Sequence, residues 1–290
     1  MLGQAEDQPK PSWSRCLWFF VKGSAYFIGS LLFLCGSVLY LPHFYALEGI
    51  PGGGPMISGW MFEIGCVCFV IGTFQDMWEL RESATRAEQH RLLDPRISTT
   101  IELRQSYDLR SSLYSLSIKP SAPSKSCLHR SVPLLNATVY FVASVIFLIG
   151  GTFFLPYRPL YEAHPSLGAI AFIIGCVLYA AGALWDVIRL GWMRRDGSTS
   201  PSWCWQNTLR TQTVVAFCSF VGAWCFIVGS YYFLPEFLID DASVVYSVTH
   251  FIVGSVWFAI GAAVSLFILH RSFIQFDVDD SSINTKMLFP

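Results

Sequence analysis

The sequence predicts an all-α polytopic membrane protein, with six transmembrane helices arranged as three parallel repeated hairpins. Three observations carry that reading. Charged residues make up 13% of the 290-residue chain and hydrophobic residues 53%, whereas charged residues are about a quarter of an ordinary soluble domain; the solvent for most of this chain is therefore lipid. Apolar runs recur six times at lengths near the ~20 residues that a helix needs to cross a hydrocarbon core. One segment is also written three times: GSLLFLCGSVLYLP from Gly29 to Pro42, ASVIFLIGGTFFLP from Ala143 to Pro156, and GAWCFIVGSYYFLP from Gly222 to Pro235.

Taken in order, residues 1–15 are polar and Pro-containing and form an expected cytoplasmic tail; they lack the pattern of a cleaved signal peptide. The first repeat, residues 16–80, holds apolar runs at Leu17–Leu41 and Ile57–Leu80. The second, 132–190, holds Val132–Leu155 and Leu167–Leu190, and the third, 213–270, holds Thr213–Leu234 and Ala242–Leu269. Short loops join the helices of a pair at His43–Met56, Tyr157–Ser166 and Glu236–Asp241. Each first helix closes on Leu-Pro, since proline has no amide hydrogen and disfavours helical geometry in the residue before it. Linkers at 81–131 and 191–212 and a tail at 271–290 complete the chain. The first linker is rich in Ser and Arg and carries Pro95, Pro120 and Pro123. It is expected to be mostly mobile, with any local helix around Ser83–Leu93.

The second helix of each pair repeats as well: FEIGCVCFVIGTFQDMWEL from Phe62, FIIGCVLYAAGALWDVIRL from Phe172 and FIVGSVWFAIGAAVSLFIL from Phe251. Gly65 and Gly72, Gly175 and Gly182, and Gly254 and Gly261 are each spaced to fall on one stripe of their helix. With Gly29, Gly36, Gly150 and Gly229 on the first helices, they are the expected packing positions, because small residues let helix backbones approach closely in lipid. Cys35, Cys66, Cys68, Cys176, Cys218 and Cys225 lie inside apolar runs and read as packing residues rather than disulfides.

Of the 19 Lys and Arg residues, all but Arg158 lie in the tails, the linkers or the helix ends that face them. The positive-inside rule therefore places both termini and both linkers in the cytoplasm. Trp13, Trp18, Trp78, Trp185, Trp192, Trp203 and Trp205 mark that boundary; Tyr40, Tyr45, Tyr157, Tyr161, Tyr231 and Tyr232 mark the other. Because each hairpin starts from the same side, the repeats are related by an axis along the membrane normal, not by inversion.

On these residues the chain resembles the YrhK-like domain, a two-helix membrane module. The resemblance lies in the small-pair-plus-Phe helix ending in Leu-Pro and the Gly-rich second helix ending near an acidic residue and Leu. It extends over all six helices and implies an integral membrane protein without implying an activity. Ala143, Ala223 and Ser265 depart from the pattern, the last standing where the other units have Asp76 and Asp186.

Four of the ionisable groups within the apolar runs raise the question of function. Glu63 is several residues into its helix, where its counterparts are Ile173 and Ile252. Asp76 and Asp186 share one repeat position on the glycine stripes; the plainer reading pairs each with a base such as Arg81 or Arg189. His250 has no second ligand at metal-binding spacing. Cys66 and Cys68 diverge by about 200° around a helix, and no phosphate loop or hydrolase motif occurs. Asn136-Ala137-Thr138 is a formal glycosylation acceptor, expected to be unmodified at the cytoplasmic start of its helix.

The expected function is a non-enzymatic membrane scaffold or interaction protein without cofactor or metal. Its partners would be the bilayer and a cytoplasmic protein bound through residues 81–131. A net charge of −1 argues against nucleic acid, and the plasma membrane is the expected location. The alternative is a channel or transporter for an ion or small solute, with Glu63, Asp76, Asp186 and His250 lining its path.

Overall fold

A computed structural model describes residues 13–49, 52–93, 127–155, 165–192 and 211–288. They form six long α-helices: α1 Trp13–Leu39, α2 Gly53–Leu93, α3 Cys127–Phe153, α4 Pro165–Trp192, α5 Thr211–Tyr232 and α6 Asp241–Leu288. Two 3-10 turns, Pro42–Phe44 and Leu47–Gly49, join α1 to α2, and there is no strand among the described residues. All six helices are long and apolar enough to cross a membrane.

The helices begin and end where backbone chemistry dictates, which is not always where the apolar runs do. Helix α2 starts at Gly53, ahead of the expected Ile57, because Gly52 turns the chain at φ +72° and Pro55 in the first turn lacks only an amide that would have no helical partner there. At the other end α2 runs to Leu93, well into the expected linker. Residues 81–93 contain no Gly or Pro to interrupt it. Helix α6 likewise continues through most of the expected tail to Leu288, just short of Pro290.

Each helix packs on its neighbours in the chain, and α6 returns to pack on α1, so the six close into a ring. Aromatic side chains fill the interior in tiers. Tyr40 and Phe154 both meet Phe233 at 5.6 Å between ring centroids, and next Phe62 faces Phe172 at 6.4 Å and Phe251 at 6.2 Å. Phe33, Phe147 and Phe226 follow, each bridging the tiers on either side within its own helix pair. Phe69, Tyr179 and Phe258 then close a triangle with centroids 6.4, 5.6 and 5.6 Å apart. Such pairs contribute about 0.5–1.5 kcal/mol each beyond the area they bury.

Glycine makes room for these rings. A Cβ on Gly65 would lie 2.8 Å from the Phe33 ring, on Gly175 2.7 Å from Phe147 and on Gly254 2.6 Å from Phe226. Gly36, Gly150 and Gly229 stand in the same way against Phe62, Phe172 and Phe251, and Gly29 against Phe69. Gly72 lies against Tyr26, Gly182 against Tyr140 and Gly261 against Cys218. All ten glycines are buried.

Polarity is arranged as lipid requires. Ser30, Ser37, Ser144 and Ser255 are fully buried, each donating to the carbonyl one turn back, while Ser58 and Ser247 donate across to Gly36 and Gly229. Large apolar side chains such as Phe20, Ile64, Ile149 and Trp224 are exposed on the outside. Cys66 is buried and Cys68 only half so, as their divergence around the helix requires.

Candidate polar site at one end of the bundle

Beyond the Phe69–Tyr179–Phe258 triangle the interior turns polar. Lys22 on α1, buried to 7% exposure, places Nζ 3.0 Å from Asp76 Oδ1 and 2.9 Å from Glu79 Oε2 on α2. The Tyr26 hydroxyl donates to Asp76 Oδ2 at 2.8 Å, and Trp18 Nε1 donates to Glu79 Oε1 at 2.9 Å. Positions Trp18, Lys22 and Tyr26 follow at four-residue spacing along one side of α1, as do the three-residue-spaced Asp76 and Glu79 on α2, so two helix faces mesh acid to base. An ammonium so deeply placed is stable only because two carboxylates surround it.

The second helix pair repeats the arrangement with less charge. Tyr140, in the place of Tyr26, donates to Asp186 Oδ2 at 3.2 Å, and Arg189 Nη2 donates to Asp186 Oδ1 at 3.3 Å. Asn136 stands where Lys22 does and donates to the Gly182 carbonyl at 3.4 Å. The glycosylation-like sequence therefore holds a packed amide at the α3–α4 crossing. In the third pair the same positions are Val215, Ser219 and Ser265; Ser265 donates only to its own helix, at Gly261. Tyr179 joins the pairs: it lies 4.7 Å from Tyr140 between centroids, and 6.4 and 5.6 Å from Phe69 and Phe258.

The four candidates from the sequence thus separate. Asp76 and Asp186 occupy equivalent places, each accepting from a tyrosine of the preceding helix, Tyr26 and Tyr140. Asp186 pairs with Arg189, but the base for Asp76 is Lys22, not Arg81, which is exposed. Glu63 lies about 20 Å from Asp76 along α2. It turns toward α3, where Gly151 leaves space: a Cβ there would be 2.5 Å from Glu63 Oε2. His250 is on the outward side of α6, bonded through Nδ1 to the Tyr246 carbonyl at 2.8 Å. Aromatic rings occupy the interior between these places. An open groove of about 500 Å³ at the other end, lined by residues that include Leu41, Pro42, Asp241 and Val245, is a surface feature.

The sequence reading does not single out Lys22 or Glu79, Lys22 counting as one more boundary charge, and it takes Trp18 only as part of the aromatic belt. Aligning the repeats carries the missing signal, since Lys22 falls on Asn136 just as Asp76 falls on Asp186. No group of three His, Cys, Asp or Glu residues able to hold a metal occurs among the described residues.

The model of the family described as YrhK-like protein matches residues 130–190 and again residues 210–268, which are α3–α4 and α5–α6. Residues 16–80, read from sequence as the first such unit, lie outside both matches. No curated protein and no solved structure matches the chain.

Proposed function

We propose that this chain, with two YrhK-like segments, is a non-enzymatic membrane scaffold of three parallel hairpins about a pseudo-threefold axis, and that it forms no passage for solutes. The observation that carries this reading is the aromatic interior: Phe69, Tyr179 and Phe258 meet on the line a pore would need. A conducting path needs polar groups along a wet lumen; here Lys22, Asp76, Glu79, Asp186 and Arg189 are engaged with one another at one end, and aromatic rings fill the interior between them and Glu63. Purified full-length protein in liposomes should give no flux under Na⁺, K⁺, H⁺ or Ca²⁺ gradients. Flux that disappears in Asp76→Asn or Asp186→Asn would overturn the scaffold reading in favour of a transporter.

In this proposal both termini and the linkers face the cytoplasm, as the distribution of basic residues supports. The helical ends of α2 and α6 then project beyond the bilayer on that side as contact surfaces for a cytoplasmic protein, α2 through the start of residues 81–131. An epitope tag after Pro290 should be labelled in cells only after permeabilisation. Labelling of intact cells would reverse the orientation.

A further inference from the structure

His250 is a half-exposed polar group on a side of α6 that neither α5 nor α1 covers fully. Helix α6 is held by α5 on one side and α1 on the other, and Tyr246 and Val253, a turn to either side of His250, are exposed at 49% and 42%. The corresponding residues of the other two helix pairs, Met61 and Ala171, are apolar. A carbonyl oxygen can only accept, so the 2.8 Å contact with Tyr246 requires that Nδ1 carry the proton. In the neutral ring Nε2 is then an acceptor, and no described residue donates to it. His250 lies about 13 Å along the helix from its start at Asp241, where water is scarce and an unmade acceptor is costly.

We infer that this face binds a sterol, whose hydroxyl donates to His250 Nε2. Acyl chains and glycerol esters offer no donor at that depth; a sterol carries one hydroxyl on a rigid apolar body. Below His250, Val253, Trp257 and Ile260 follow at three- and four-residue spacing along the same side of α6, a track for that body. Trp257 stands edge-on to Phe217 of α5, with centroids 6.3 Å apart, and gives the track a wall. The Tyr246 ring, 4.6 Å from the imidazole between centroids, fixes the orientation of His250.

The test is photolabelling of full-length protein in phosphatidylcholine liposomes by a diazirine sterol that keeps its hydroxyl. Label should map to α6 between Tyr246 and Ile260. Cholesterol should displace it roughly three- to tenfold better than the corresponding ketone, which can accept but not donate, as expected for one hydrogen bond. His250→Phe, which keeps an aromatic ring but no acceptor, should abolish that preference. Equal competition by the ketone in the unmodified protein overturns the inference without relying on any variant. So does a preference that survives in His250→Phe, label spread evenly over the six helices, or a crosslink from His250 to a second chain.

Discussion

Gly254→Leu is expected to abolish recovery of folded protein, and Gly254→Ala to lower its melting temperature in detergent. A Cβ at this position would stand 2.6 Å from Cδ2 of Phe226 and 2.9 Å from the carbonyl oxygen of Gly222. The ring can tilt, but the carbonyl belongs to the α5 backbone and cannot, so α5 and α6 must move apart. Overpacking a dense core costs about 1–3 kcal/mol, occasionally more, and separating two helices disturbs the tiers on both sides. Gly261 on the same helix is the internal control: its Cβ would meet Cys218 at 3.2 Å and no backbone atom nearer than 3.6 Å. Gly261→Ala should therefore melt close to the unmodified protein. Indistinguishable melting of Gly254→Leu and the unmodified protein would mean that the α5–α6 crossing is looser than the structure has it.

The second large effect belongs to Lys22. Lys22→Met leaves Asp76 and Glu79 facing each other without the base between them. Removing one partner of a fully buried pair costs about 3–5 kcal/mol. Here the side chains of Asp76 and Glu79 keep 38% and 25% exposure, so solvent screens part of the loss and about 1–3 kcal/mol is the expected scale. The triple change Lys22→Met, Asp76→Asn, Glu79→Gln should recover much of it, because no charge is then left unpaired. Asp186→Asn should be milder, since Arg189 is a quarter exposed and can turn toward headgroups. Denaturation in mixed micelles measures all of these. A triple variant no more stable than Lys22→Met would show that the cluster acts through packing, not charge.

How far the sequence reveals this architecture depends on which physical signal each feature leaves. The six membrane-length helices are legible because lipid imposes one composition on every crossing. The glycine positions are legible because the pattern is written three times, and repetition separates a packing rule from chance. The continuation of α2 to Leu93 is not legible from hydropathy, since residues past the bilayer are polar whether helical or not. Its signal is the lack of Gly and Pro over residues 81–93, and Ser83–Leu93 is where the sequence reading puts any local helix of the linker. The polar cluster was half visible: Asp76 and Asp186 stand out as charges within apolar runs, while Lys22 is distant from them in sequence and sits where basic residues are expected anyway. Tyr179 reads as one more aromatic in an apolar run; only the third dimension sets it against Tyr140, whose hydroxyl donates to Asp186.

The ring of helices has a consequence for how such a chain can be assembled. Because α6 closes on α1, each hairpin in the proposed arrangement offers one flank to the hairpin before it and the other to the hairpin after it. Those contacts are head-to-tail, and a head-to-tail contact that turns by a third of a circle closes after three copies. Separate two-helix chains could make the same interior as a trimer. Joining them in one polypeptide fixes the stoichiometry and frees each copy from identity with the others. The fused chain can thus hold Lys22 at one site, Asn136 at the next and Val215 at the third, a division of roles closed to three identical subunits.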